Sequence, residues 1–281
     1  MDSQRLGSYA SKWSLHIVLI VICLATVFPF LWMFSTMLKP ADEIFTKDIQ
    51  ILPRTLEWAN FSRALDIFPV LRWTWNSFGL SIIITAGKLL ISVPAAYAFS
   101  RLHFRFKPLL FAVVLVTMIV PGVVTTVPNY VMINHFGWLN TWIGVIIPSL
   151  PGTAFYVFLL RQNMMTLPQE LVDAGRVDGA GTYRILWDII IPNVKPTIAV
   201  VTILSFLGAW NQYLWPLLVL SGFENRTLAT GMPFFTGNAE SAQMWGPMMA
   251  TAAMAALPPL IVYAIFQKQI INAFVTSGIK G

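Results

Sequence analysis

Charged side chains are scarce in this chain, and seven of them stand in one stretch, Gln162 to Pro196. Glu170, Asp173, Asp178 and Asp188 stand there beside Arg176, Arg184 and Lys195, between two long apolar runs. The spacing offers docking chemistry rather than catalysis. Thr166 with Gln169 three residues on predicts a capping box, with Pro168 in the first turn. A short helix from about Leu167 to Val177 follows, and the turn pair Asp178-Gly179 stops it. Thr182 is placed to cap a second short helix, ended by Pro192 and Pro196. Ala174, Gly175, Gly179, Ala180 and Gly181 are small enough for another backbone to approach. On this local chemistry alone, a connector lying on a membrane surface accounts for the stretch as well as a docking elbow does.

Few other residues could do chemistry. Gly87-Lys88 lacks the upstream glycine and the following Ser/Thr of a phosphate-binding loop, so no ATP site is expected. No serine elbow, metal-ligand cluster or pair of carboxylates within a span is present, and three scattered histidines make no metal spacing. Cys23, the single cysteine, excludes an intrachain disulfide framework and reads as a small packing residue. Lys88 falls near the middle of an apolar run, where an ammonium needs a cavity, a partner or a carbonyl. It either lines a translocation path or is a structural lysine held by carbonyls or a partner subunit. Trp210, Asn211 and Tyr213 set aromatic faces beside amides. They suit sugar recognition, and equally an interfacial belt with an amide bond between helices.

The elements that position these residues are membrane spans. Of 281 residues, 57% are hydrophobic and 11% charged, and the mean hydropathy is +0.69, too apolar for a soluble domain of this size. Six spans fit, roughly 14–36, 77–99, 109–131, 141–161, 197–220 and 247–267, within a single transmembrane domain over 1–281. The first lacks a small-x-small cleavage site and reads as a retained span. Trp13, Trp32, Trp73, Trp75, Trp138, Trp142, Trp215 and Trp245 fall near the ends, as an interfacial belt would place them. Pro121-Gly122, Pro128, Pro148, Pro151-Gly152, Pro216 and Pro258-Pro259 are expected to interrupt the third to sixth spans. With both termini inside, inner segments hold eleven Lys and Arg and outer loops six, which sets both termini and the 162–196 loop in the cytoplasm. Absence of acids within spans argues against a proton- or sodium-driven carrier.

Asp173-Ala174-Gly175, then Arg176-Val177-Asp178-Gly179-Ala180, and later Ile189, Ile191 and Pro192 resemble a known signature. It is the cytoplasmic loop of permease subunits of binding-protein-dependent ATP-binding-cassette importers, E-A-A-x(2)-D-G-A with a distal I-x-L-P. Asp replaces Glu, Gly the second Ala, and Ile the Leu before Pro. Ala95-Ala96-Tyr97-Ala98-Phe99-Ser100-Arg101 resembles the family's A-A-Y-A-x-A-R. Lys39-Pro40 stands where the family has Lys-Pro after the first span. The run from Trp210 to Leu218 is similar to W-N-x-[YF]-L-W-P-L-L of maltose- and glycerol-phosphate-type permeases. The tail, ending Ser277-Gly278-Ile279-Lys280-Gly281, resembles the family's Val-Lys-Gly end with Ile279 for Val.

The resemblance implies an all-α polytopic membrane protein of the type I importer fold, six spans with a cytoplasmic coupling helix, in a bacterial or archaeal inner membrane. It implies a second homologous permease, two ATPase subunits holding ATP and Mg, an extracytoplasmic binding protein and a carbohydrate substrate. No cofactor on this chain and no nucleic acid are implied. Glu170, Asp173, Ala174, Gly175, Arg176, Asp178, Gly179 and Ala180 become the ATPase-coupling residues. Lys88, Trp210, Asn211 and Tyr213 become path candidates. Ser277, Gly278, Ile279 and Lys280 become an ATPase-contacting tail, and the loop from Ser221 to Trp245 the one that reaches the binding protein. Glycerol phosphate or an acidic sugar is the alternative cargo. A secondary carrier or channel acting alone and a non-transporting scaffold are the alternatives in kind.

Overall fold

The structure, a computed structural model, describes residues 2–46, 50–237 and 241–278, and among these residues there is no β-strand. The helices are, in chain order, α1 (Asp2–Thr36), α2 (Ala41–Ile44), α3 (Ala59–Ile67), α4 (Val70–Arg101), α5 (Lys107–Thr117), α6 (Thr126–His135), α7 (Trp142–Ser149) and α8 (Ala154–Met165). Then follow α9 (Gln169–Val177), α10 (Thr182–Arg184), a π-helical turn (Ile185–Ile190), α11 (Ile191–Asn193), α12 (Lys195–Trp210), α13 (Leu214–Val219), α14 (Leu228–Gly231) and α15 (Ser241–Gly278).

Three stretches, Trp13–Thr36, Val70–Arg101 and Gln243–Gln269, are unbroken helices long and apolar enough to cross a bilayer. Elsewhere the expected spans are broken. The third parts at 118–125, where Pro121 and Gly122 replace helix with successive turns: Val124 N–H bonds Pro121 C=O at 3.0 Å and Thr125 N–H bonds Gly122 C=O at 3.2 Å. The fourth bends by 48° at Pro151-Gly152, between α7 and α8. Between α12 and α13 the helix stops at Asn211, upstream of Pro216, which sits in the first turn of α13 and so does not break it. Pro258-Pro259 does not interrupt its span either, because α15 runs on through both prolines.

The chain divides into two compact units, residues 1–70 with 232–256 and residues 71–231 with 257–281. In the first, the segment after α1 folds into a hydrogen-bonded cap. Lys39 is buried, its Nζ donating to the Gln50 carbonyl and lying 4.8 Å over the Trp32 ring. Asn60 Nδ2 donates to the carbonyls of Met37 and Lys39 at 3.0 and 2.9 Å. The ring of Phe68 meets Phe235 edge-on at 4.6 Å.

Among the described residues of the second unit, two cores stand out. One gathers Val93, Ala96, Tyr97, Val157, Leu160 and Met164 from α4 and α8 with Val172, Ile185, Leu186, Ile190, Val194 and Val201. The other gathers Leu80, Ile84, Ile133, Val145, Trp215, Val219 and Leu220. Trp73 does not join an interfacial belt. It is fully buried, donating Nε1 to Phe223 C=O at 2.9 Å, because the 222–228 segment folds over it. That segment is strapped by Asn76 Nδ2, which donates to the Glu224 and Arg226 carbonyls at 2.8 and 2.9 Å. Asn140 Oδ1 holds it from another side, accepting from Gly222 N–H at 2.8 Å. The first half of the outer loop is thus a pinned strap.

Candidate functional site

The 162–196 stretch forms a bent elbow. Helix α9 ends in a Schellman motif: Gly179 N–H bonds Arg176 C=O at 3.0 Å and Ala180 N–H bonds Gly175 C=O at 2.9 Å. The reversal rests on Gly179, at φ +78°, a left-handed conformation that costs a side-chain-bearing residue free energy. Asp178 is the last residue before it, so the Asp-Gly pair does set the turn. From Thr182 the chain is helical again to Asn193, then turns by 84° into α12.

Neither expected cap forms. Thr166 closes α8, its hydroxyl donating to Asn163 C=O at 2.8 Å, and Pro168 is the N-cap of α9 without a side-chain bond. Gln169 is drawn elsewhere: its Oε1 accepts from Arg101 Nη1 at 2.7 Å and its Nε2 donates to Asp173 Oδ1 at 3.2 Å. Thr182 is the first helical residue, and Gly181 takes the cap position.

Val172 and Gly175 form the inner face of α9 and pack on the π turn. A Cβ on Gly175 would stand 2.5 Å from Ile189 Cδ1 and 3.5 Å from Ile185 Cγ1, so the absence of a side chain lets α9 lie close. The outer face is exposed: Glu170, Asp173, Ala174, Arg176 and Asp178, with Asp173 and Arg176 paired at 3.3 Å. An exposed pair contributes little stability, at most about 1 kcal/mol, and so leaves both groups open to a partner. Apolar side chains are exposed on the same elbow, Val177 at 88%, Tyr183 at 79% and Trp187 at 61%. Ala180 is half-buried.

Arg101, the last residue of α4, is the anchor that sequence reasoning treated only as a cytoplasmic charge. It is 8% exposed, and its Nη2 donates to Met164 C=O at 2.6 Å and Leu167 C=O at 2.5 Å. Met164 C=O is one of the last carbonyls of α8 and otherwise meets the Leu167 N–H, at 3.4 Å, while Leu167 C=O belongs to the turn that follows. The only signal available was its place at the end of the A-A-Y-A-F-S-R run.

A cleft of about 950 Å³ opens where the spans are broken, between the 117–129 segment, the α7–α8 bend and the start of α13. Its size is that of a small-molecule site, roughly 300–1,000 Å³. Asn129, Ser149, Gln212 and Tyr213 line it, and Gln212 Nε2 donates to Ser149 Oγ at 3.4 Å. Of the path candidates, Tyr213 lines this cleft. Trp210 is buried, stacked on Phe206 at 5.9 Å and 18°, and Asn211 is exposed at the end of α12 without lining it. Lys88 Nζ lies 5.6 Å from the Tyr156 ring centre, beside the cleft wall. Asn129 and Ser149 were missed, since the breaks that bring them together with Gln212 are tertiary. Ser277 and Gly278 end α15, and Ile279 and Lys280 lie outside the described residues.

Kinked apolar helices around a cleft that carries a few polar groups, with an exposed elbow packed on their core, fit a transport subunit of the membrane. Residues 88–274 match the binding-protein-dependent transport system inner membrane component family, and the chain belongs to it. It is 31% identical over 268 residues to an sn-glycerol-3-phosphate transport system permease protein of Pectobacterium atrosepticum, covering 93% of this chain and 95% of that one. A Brucella melitensis protein of the same description is 31% identical over 267 residues, covering 92% and 94%. Among solved structures, a bacterial ABC transporter involved in import of the acidic polysaccharide alginate superposes with TM-score 0.84 at 23% identity, over 96% of this chain and 98% of that one. The fold is that of a type I importer permease.

Proposed function

We propose that this chain is one of two permease subunits in an ATP-driven importer of carbohydrate-class substrates, forming half of the path and taking its stroke through the 169–193 elbow. The names of its relatives, in sugar-acid and glycerol-phosphate import, support the cargo class. A second alginate-transporter structure, TM-score 0.66, was solved with its periplasmic protein bound, which supports a binding protein as partner. A homologous permease and two ATPase subunits complete the assembly, and ATP and Mg belong to those ATPases, not to this chain. Both termini are cytoplasmic, and the 277–280 tail lies near the ATPase dimer.

The observation that carries the reading is the elbow itself. Its inner face is packed into the core of α4, α8 and α12, while its outer face leaves Glu170, Asp173, Ala174, Arg176 and Asp178 exposed. When ATP closes the ATPase dimer, a body gripping that outer face moves the span helices with it, and the cleft alternates between the two sides. Asp173, Arg176, Asp178 and Gly179 seat the elbow, and Glu170 steadies the N-terminus of α9 through the helix dipole.

Two substitutions test it. Gly179→Pro forces φ from +78° to about −65° and deletes the bond to Arg176 C=O. Ala174→Trp adds bulk on an exposed face and leaves the packing of this chain intact. In the purified complex both should retain ATP hydrolysis and lose most ATP-driven uptake. Wild-type uptake in both, or failure of the chain to co-purify with an ATPase, refutes the proposal.

A further inference from the structure

The cleft holds a contradiction in charge. None of its lining residues is ionised, and helices α4 to α8, α12, α13 and α15 contain no Asp or Glu. Lys88 is nevertheless beside it, in mid-span on α4. Among the described residues it has no ion pair, and its only recorded partner is the face of Tyr156. An ammonium at that depth costs several kcal/mol unless a counter-charge or a polar cavity meets it.

Gly152 is what separates Lys88 from the cleft. This glycine lines the cleft at the α7–α8 bend, and a Cβ built on it would stand 3.9 Å from Lys88 Nζ. A methyl there would be in ordinary contact with the ammonium, so with glycine the two are separated by a gap, or window, that a larger branched side chain would fill. Its φ is not in the left-handed region, so the bend does not itself demand glycine. The same cleft is lined by groups that hydrogen-bond hydroxyls without charge: Asn129, Ser149 and Gln212.

We infer that the cleft takes a polyhydroxylated anion, a phosphorylated polyol or a sugar acid, whose negative group is met by Lys88 through the window at Gly152 while its hydroxyls are met by Asn129, Ser149 and Gln212. The inference rests on the importer reading above and names its cargo. A carboxylate from the second permease could also neutralise Lys88, and the test distinguishes that source.

The complex is reconstituted in vesicles with its binding protein, and ATP-driven uptake is followed for three probes: sn-glycerol 3-phosphate, an oligouronate and maltose. At least one anion should be taken up and maltose should not. Lys88→Met should raise the anion concentration for half-maximal uptake about ten- to a hundredfold, the worth of one charge-assisted contact. Lys88→Arg should retain most uptake. Gly152→Val, which keeps the lysine, should lose it. Uptake of maltose alone, or anion uptake indifferent to Lys88→Met, overturns the inference and leaves the importer reading standing. A Lys88→Met chain that no longer co-purifies with the second permease assigns the lysine to that interface and also overturns it. An assembly without any ATPase overturns both.

Discussion

Arg101→Met keeps an unbranched apolar stem in place of the side chain and removes every donor. In the native chain those donors serve the Met164 and Leu167 carbonyls and Gln169 Oε1, at 2.6, 2.5 and 2.7 Å. Met164 is buried, so its carbonyl loses a partner with little water to replace it, a cost of about 1–3 kcal/mol. Leu167 is half-buried and recovers part of its loss from water, leaving about 1 kcal/mol. Together the elbow is loosened by about 2–4 kcal/mol, roughly thirty- to several-hundredfold in the population of locally open states. Hydrogen exchange on the assembled complex reads this directly: amides of 169–178 should lose protection by that factor, while those in the middle of α4 should not. Uptake per ATP hydrolysed should fall in step. Arg101→Lys should fall between, because an ammonium lacks the planar fork that reaches two carbonyls and an amide at once. Unchanged exchange across 169–178 with normal coupling would refute the assignment of Arg101 as the anchor of the elbow.

Gly175→Ala should leave uptake within about twofold of wild type: the added methyl crowds only the far end of Ile189, with Ile185 at ordinary contact distance, and alanine regains up to about 1 kcal/mol of helix propensity. Gly175→Leu overfills the same contact, costing about 1–3 kcal/mol, and should depress coupled uptake; equal uptake in both variants would contradict the close packing of α9 on the π turn. Asn76→Ala should free the 222–228 strap and raise tryptic cleavage at Arg226 about tenfold, since two carbonyls lose their donor. Asn76→Asp, nearly isosteric but an acceptor only, should be no better, and a native cleavage rate in either would count against the strap.

The parts legible in the sequence were those fixed by local chemistry. Asp178-Gly179 marks a reversal because few residues other than glycine tolerate its backbone, and Pro121-Gly122 marks a break because proline deletes a donor. Where a partner lies far along the chain, local signals gave the wrong answer. Gln169 has the spacing of a capping residue, but Arg101, sixty-eight positions earlier, competes for its side chain. Trp73 has the look of an interfacial ring, and the 223 carbonyl that holds it inside is 150 residues away. Pro258-Pro259 reads as a break although α15 continues through it. The polar lining at Asn129, Ser149 and Gln212 is assembled by three separate interruptions, none of which announces the others.

The apolar tips at Val177, Tyr183 and Trp187 bear on the life of the subunit before assembly. If an ATPase covers the elbow, as proposed, a chain inserted without it would offer those side chains to whatever met them first, including chaperones and proteases that recognise exposed hydrophobic surface. On that proposal surplus copies would be short-lived, and the same surface would keep the stoichiometry of the assembly.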